Sequence, residues 1–359
     1  MHDAFAPGLL QRLPFSVRKV ALVRASRIGD FICATPAIRA LHAALPDAQF
    51  VLIGLPFLRD LAARSPYLAG FAEFPGYPGM ADQFFEPQRA LQFFTTMQAE
   101  RFDLALQMNG SGVYSNPFTL MLGARATAGF VRPGDPAGRL DAALPLPETG
   151  PEIRRMLSLP AFLGAPSQGE ETEFPLWPDD QVAAEDLLAG AERPLIGFHP
   201  AAREATKRWP AGRFAELAAQ LLRSHGGTLV LVGGPDERPL AEAVANDLSA
   251  TCLNLAGRTS LPVLGAVIAR LALLVTNDSG PAHIGYALGT PTVTVFGGTD
   301  PARWGPPGWS AEAPGLHRVI TNPVPCWPCD YWVCPIGYQC LEGISVAEVK
   351  QAAEQVLAP

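Results

Sequence analysis

The stretch VALVRASRIGDFICATPAIRAL, residues 20–41, passes from an apolar, β-prone run through a short polar turn into a helical pattern. VALVRA (20–25) reads as a buried strand. Phe31, Ala34, Ile38, Leu41 and Leu45 then recur at spacings of 3, 4, 3 and 4, one buried helix face. Pro36 falls inside that stripe, so either the helix bends there or Thr35 caps a helix that starts at Pro36. Both place Asp30 where strand gives way to helix. A carboxylate there is favoured by the helix dipole, and it can act as a cap or as a general base; spacing alone leaves both open.

Further along the first half, QFVLIG (49–54) and FDLALQM (102–108) read as strands, with helices after Pro56 and between the two. Short β-rich runs separated by helices imply parallel β-α-β units. Residues 132–150, RPGDPAGRLDAALPLPETG, read as the start of an inter-domain connection. A helix over 152–163 and a loose stretch to Asp180 follow. The pattern then restarts with PLIGFHP (194–200), TLVLVGG (228–234), LALLVTN (271–277) and PTVTVFGG (291–298). The expected fold class is α/β, with two doubly wound domains. The boundaries expected are 1–165, 166–340 and a C-terminal helix within 341–359 that packs back on the N-terminal domain.

Bulk properties agree with two domains, since 359 residues exceed what one ordinary core supports. A net charge of −7 argues against a general nucleic-acid binder. The charge is uneven: residues 1–165 carry 15 Lys and Arg against 13 Asp and Glu, whereas 166–359 carry 12 against 21. Two halves of different charge suggest two different ligands. No run approaches the roughly 18 apolar residues that span a bilayer, and the N-terminus does not read as a secretory signal. The expected location is the cytoplasm.

Polar motifs sit at the ends of the expected strands, where ligands gather in such sheets. In GFHPAAREATKRWPAGRF (197–214), Lys207 and Arg208 lie on a loop over a strand end and can hold a diphosphate, Lys207 as a point charge; a solvated basic turn is the alternative. His199 reads as hydrogen-bonded to loop backbone. In VTNDSGPAHIGYALGTPTVTVFGGTDP (275–301), the N–H groups of Ser279, Gly280 and Ala282 would point out of a helix start carrying about half a positive charge. Asp278 beside them would repel phosphate unless it met sugar hydroxyls or a cation such as Lys207. In LVGGPDER (231–238), Gly233 and Gly234 permit close backbone approach, and Glu237 can accept from both ribose hydroxyls.

Cys326, Cys329, Cys334 and Cys340 are spaced C-x2-C-x4-C-x5-C. Reduced structural thiols, a zinc site and a regulatory disulfide are all open, although the gaps are tight for zinc. No G-x-G-x-x-G opens either half, because Gly110-Ser-Gly112 lacks the third glycine, and no P-loop is present.

Taken in order, IGDFICATPAIRAL, HP…TKRWP, GGPDE, TNDSGPAHIGYALGTPTVTVFGGTDP and the Cys-rich tail followed by ISVAEV resemble the ADP-heptose:lipopolysaccharide heptosyltransferase family of inverting glycosyltransferases. The resemblance implies two Rossmann-like domains facing a central cleft, the GT-B arrangement, with acceptor on the N-terminal half and nucleotide sugar on the C-terminal half. It implies Asp30 as base, Lys207 and Asp278 flanking diphosphate and sugar, and Ser279, Gly280 and His283 at the phosphates. By the same carry-over Glu237 meets the ribose, and Gly257, Arg258 and Thr259 lie along the adenine. Gly29 and Arg27 fall on the acceptor side, where Arg27 replaces the small residue of many relatives. No cofactor is implied. The partners implied are an ADP-sugar donor and an acidic lipopolysaccharide-core acceptor, with peripheral contact at the inner face of the inner membrane. Another nucleotide-diphosphate sugar used for a different surface glycan, or a non-catalytic nucleotide-binding scaffold, are the alternatives.

Overall fold

A computed structural model describes residues 3–80, 83–248, 252–310, 315–329 and 331–357. The chain divides into two compact units, Met1–Thr172 and Glu173–Pro359. The division falls a few residues beyond the sequence-based boundary, within the loose stretch before Asp180.

The first unit holds β1 (Lys19–Val23), β2 (Gln49–Gly54), β3 (Gly70–Glu73), β4 (Leu104–Gln107), β5 (Ala126–Val131) and β6 (Ala142–Pro145), in the order β3-β2-β1-β4-β5-β6. Every pairing is parallel. The second unit holds β7 (Leu195–His199), β8 (Thr228–Leu231), β9 (Cys252–Asn254), β10 (Leu273–Asn277), β11 (Thr292–Phe296) and β12 (His317–Thr321), in the order β12-β11-β10-β7-β8-β9, again all parallel. Both sheets have the Rossmann order 3-2-1-4-5-6. Each has its switch point where the crossovers change direction, between β1 and β4 and between β7 and β10, and ligands settle outside the carboxyl ends there.

Residues 132–150, read as a connection, instead contain β6. Its sequence AALP is short and Ala-rich, a weak strand signal by propensity, and sheet pairing with β5 decides it.

The helix after β1 runs unbroken from Ile28 to Ala44 with Pro36 inside it. No new start at Thr35 is made. Proline lacks the N–H that would bond the carbonyl four residues back, which is Ile32. The Thr35 hydroxyl donates to that carbonyl at 2.8 Å, so the acceptor stays satisfied and the buried stripe continues. This helix packs on the helix Glu152–Leu163.

The helix Val346–Leu357 buries Val346, Val349, Ala352 and Ala353 in the core of the second unit, together with Phe214, Val293 and Val295. This corrects the expectation that it lies back on the N-terminal domain: its one apolar face is spent on the second unit's own sheet and helices. Among the described residues no helix is long and apolar enough to cross a membrane.

Candidate active site

In the second unit the switch point is lined by the last residues of β7 and β10. His199 ends β7 and is 1% exposed; Asn277 ends β10 and is fully buried. Asn277 works as an internal tie. Its Oδ1 accepts from the N–H of Trp209 at 3.0 Å, and its Nδ2 donates to the carbonyls of Pro200 and Ala201 at 3.0 and 3.2 Å. Those bonds hold the loop after β7 against the end of β10.

The next residue, Asp278, is a buried carboxylate with three polar neighbours. Thr299 Oγ1 donates to its Oδ2 at 2.6 Å, Lys207 Nζ lies 3.1 Å from the same oxygen, and His283 Nε2 stands 4.0 Å from Oδ1. Lys207 also sits 3.7 Å from Glu204. Asp278 and Lys207 therefore meet as the motifs implied: a buried charge demands a partner, and the pairing removes the repulsion that Asp278 alone would exert on a phosphate.

Ser279 is the N-cap of the helix Gly280–Leu288, but its side chain makes no capping bond. The hydroxyl turns back to Asn277 O at 3.1 Å and His199 Nδ1 at 3.1 Å. The helix start is thus left without its side-chain cap, the condition in which backbone N–H groups serve an anion. Ala282, expected to point outward with them, instead donates its N–H to Ser279 O at 3.1 Å, so the outward set is smaller than the sequence implied. His283 is buried, its ring edge-on to Tyr286 and Trp304.

Glu237 follows β8. Its Oε2 accepts from His199 Nε2 at 3.1 Å and from the Gly234 N–H at 2.7 Å. Burial alone would push this carboxyl up; the hydrogen bond and charge of His199, the Gly234 N–H and the charge of Arg208 outweigh it and bring it down to about 2. Gly233 makes the approach feasible. It has φ +154, and a Cβ there would lie 2.9 Å from Glu237 Oε2 and 3.5 Å from His199 Cδ2. Gly257, Arg258 and Thr259 form the turn after β9, where the Gly257 N–H donates to Gly233 O at 2.9 Å.

His199 corrects the sequence reading, which had it serving loop backbone. Its ring nitrogens meet side chains only: Glu237 on one side, Thr276 Oγ1 (3.2 Å) and Ser279 Oγ on the other.

The four tail cysteines do not form the zinc arrangement. Cys340 is buried in the core of the second unit while Cys326 is exposed. Among the described residues no three His, Cys, Asp or Glu side chains are grouped as a metal site, and all six cysteines are free thiols. Asp330, inside this loop, lies outside the described residues. The loop is instead a strap. Trp327 Nε1 donates to Gly297 O at 2.9 Å, the Cys329 N–H to Gly298 O at 2.7 Å, the Ala205 N–H to Trp332 O at 3.0 Å and Thr206 Oγ1 to Tyr331 O at 2.5 Å. It fastens the turn that carries Lys207 to the loop that carries Thr299.

In the first unit the switch point holds Asp30, third residue of the helix Ile28–Ala44 and half-buried, its side chain 29% exposed. Arg24, just past β1 and 3% exposed, lies beneath it. One guanidinium nitrogen donates to Met108 O; the other reaches Asp30 O at 2.9 Å and Asp30 Oδ1 at 3.4 Å, and stands 3.6 Å from Glu152 Oε1. Glu152 is held in turn by Arg155 at 2.6 Å. Gly29 is buried in the first helical turn, and Arg27 is the helix N-cap without a side-chain capping bond. The sequence reading missed Arg24, Asn277 and Thr299. Arg24 and Asn277 leave a trace, a polar residue at the end of an otherwise apolar run; Thr299 leaves none.

Twin parallel sheets of this order, each with polar residues gathered at its switch point, define an α/β protein of the two-domain glycosyltransferase type. Residues 90–328 match the profile of glycosyltransferase family 9 (heptosyltransferase), well over half of the chain. The chain belongs to that family, as its motifs implied, and is a glycosyltransferase enzyme. It is 29% identical over 323 residues to lipopolysaccharide heptosyltransferase 2 of Salmonella typhimurium, covering 84% of this chain and 90% of that protein. In fold it matches a glycosyl transferase family 9 structure from Veillonella parvula, with a TM-score of 0.79 at 21% identity over 96% of this chain and 98% of that one. It also matches E. coli ADP-heptose lps heptosyltransferase II, with a TM-score of 0.76 at 23% identity over 94% and 98%.

Proposed function

We propose that the chain transfers a heptose from ADP-heptose to the lipopolysaccharide core with inversion, using Asp30 as general base. The observation that carries the reading is the pairing of Lys207 with Asp278 at a helix start whose Ser279 side chain turns away from capping. That arrangement suits a pyrophosphate: Lys207 and the free N–H groups of the helix start meet its charge, and Asp278 and Glu237 are left for sugar hydroxyls. Glu237 keeps Oε1 for the ribose because its two bonds use Oε2. Gly280 and His283 belong to the phosphate side, and Gly257, Arg258 and Thr259 to the adenine side. The names of the relatives supply the heptose, the ADP and the lipopolysaccharide.

In the reaction, the acceptor oxygen bonds to the anomeric carbon as the bond from that carbon to the diphosphate oxygen breaks. The acceptor proton passes to Asp30, and the electron pair leaves with ADP. Arg24 holds Asp30 by Oδ1 and by its backbone carbonyl, which fixes the carboxylate for proton transfer. Charge growing on the leaving diphosphate is met by Lys207 and the helix start, electrostatic stabilisation of the kind worth about 3 kcal/mol per well-placed donor. The N-terminal unit is the acceptor domain in this reading, with Arg27 and Gly29 on the acceptor side, and the C-terminal unit is the donor domain.

The enzyme works at the inner face of the inner membrane in the same proposal. Phe84 and Leu91, 85% and 71% exposed, support contact with acyl chains. Phe84 lies within the apolar stretch FPGYPGMADQFFEP (74–87) and Leu91 follows it; residues 81 and 82 of that stretch lie outside the described residues. The deciding experiment incubates purified protein with lipopolysaccharide-core acceptor and a panel of ADP-, UDP- and GDP-sugars and measures the nucleotide released. ADP release from ADP-heptose with product formation is expected. Release from a UDP- or GDP-sugar instead would overturn the donor, and no release with tight nucleotide binding would mark a scaffold.

A further inference from the structure

We propose that His199 is a positioning residue that couples the two halves of the donor site, setting the ribose-side carboxylate of Glu237 and the phosphate-side hydroxyl of Ser279 against each other through one imidazole ring. The inference rests on the donor-site reading above and adds a residue to it.

Three strand ends meet at this ring. His199 closes β7, Glu237 stands in the turn after β8, and Thr276 and Ser279 flank the end of β10. The imidazole has two polar atoms, and both are used: Nε2 toward Glu237 Oε2 at 3.1 Å, Nδ1 toward Ser279 Oγ at 3.1 Å and Thr276 Oγ1 at 3.2 Å. The ring is buried, whereas Glu237 and Ser279 are only partly so. The ring therefore belongs to the frame and its partners to the surface a ligand would reach. The Thr276 and Ser279 hydroxyls meet each other at 3.2 Å and each reaches the Asn277 carbonyl, at 3.0 and 3.1 Å. Each hydroxyl has one proton to give. When a phosphate oxygen takes the Ser279 proton, the remaining bonds around Nδ1 must rearrange, and the Nε2 contact with Glu237 feels that change through the rigid ring. Removing the imidazole leaves the Ser279 hydroxyl to Thr276 Oγ1 and the Asn277 carbonyl, and leaves Glu237 with the Gly234 N–H on Oε2.

The two sides can be separated by amide isosteres. In His199→Gln the amide nitrogen falls near the place of Nε2 and keeps Glu237; in His199→Asn it falls near Nδ1 and keeps the hydroxyls. Calorimetric titration of the full chain with AMP and with ADP reads ribose-side and diphosphate-side binding in turn. For His199→Gln we expect AMP affinity near that of the parent and a preference for ADP over AMP reduced about tenfold, the scale of one hydrogen bond to a charged group. For His199→Asn we expect the reverse, with AMP affinity reduced about tenfold and the ADP preference retained. Should either variant fold poorly, Glu237→Gln, Ser279→Ala and the double substitution give a cycle that leaves the ring in place. The double variant should lose less ADP affinity than the product of the single losses, by at least about threefold. Equal losses for both nucleotides in both isosteres, or an additive cycle, would overturn the coupling. A parent chain that binds neither AMP nor ADP would remove the donor-site reading itself, and this inference with it.

Discussion

The two units share a strand order and differ in where they keep their positive charge. In the first, Arg24 at the switch point is buried beneath Asp30 and shared with Glu152. It can orient a carboxylate but is too buried to meet a ligand. In the second, the cation is Lys207, on a turn strapped from outside and partly exposed. One topology thus holds one cation buried beneath a carboxylate and another on a strapped, partly exposed turn. The difference lies in whether the basic residue follows the central strand directly, as Arg24 follows Val23, or sits further along the loop, as Lys207 does after His199.

The sharpest way to break this contrast is Asp30→Asn, which keeps the shape and removes the proposed base. Transfer should fall by about 10²- to 10⁴-fold, the range of general-base catalysis, while calorimetric ADP affinity stays at the parent value. Retained transfer would dissolve the distinction between the two sites.

Arg24→Met tests whether the buried cation is structural. Removing one member of a buried ion-pair group costs about 3 kcal/mol or more, and urea denaturation should record that loss with ADP affinity unchanged. A variant of parental stability would mean that Arg24 does not hold Asp30 and Glu152.

Lys207→Met addresses the exposed cation. Turnover should fall about 100-fold, as when one preorganised donor to a developing charge is removed, and ADP should bind more weakly. A loss confined to thermal stability would assign Lys207 to Asp278 alone.

The smallest effect is expected from pH acting on Glu237. Its carboxyl is held down to about 2 in the folded state, below the ordinary value in the unfolded chain of about 4.3. Its contribution to stability is therefore present above that unfolded value and is lost as pH falls toward 2. Glu237 is partly exposed, so solvent screening keeps the contribution modest. Stability measured from pH 6 down to pH 2.5 should decline less in Glu237→Gln than in the parent; parallel curves would remove the His199–Glu237 contact from the energetics of the second site.

Much of this was legible in the chain itself. The helix face from Phe31 to Leu45 and the apolar runs before His199 and Asn277 announce strand-turn-helix units, because periodicity is a local property. The positions of Asp30, Lys207, Asp278 and Glu237 at strand ends follow from it. What stayed hidden was less regular or non-local. The Ala-rich β6 looked like a linker until its neighbour paired with it, and the unevenly spaced tail cysteines left thiols, zinc and a disulfide all open until Cys340 entered a core.

By itself, then, the sequence determined the α/β alternation, the two units and the family, since strand-forming runs, helix stripes and turn residues act over a few positions. Only the tertiary structure decided the partners: that Pro36 leaves a helix intact through Thr35, that Arg24 lies under Asp30, and that His199 meets Thr276, 77 residues away in the chain. Such contacts arise when parallel strands bring their carboxyl ends side by side, and a buried polar atom then bonds whatever the neighbouring strand happens to offer.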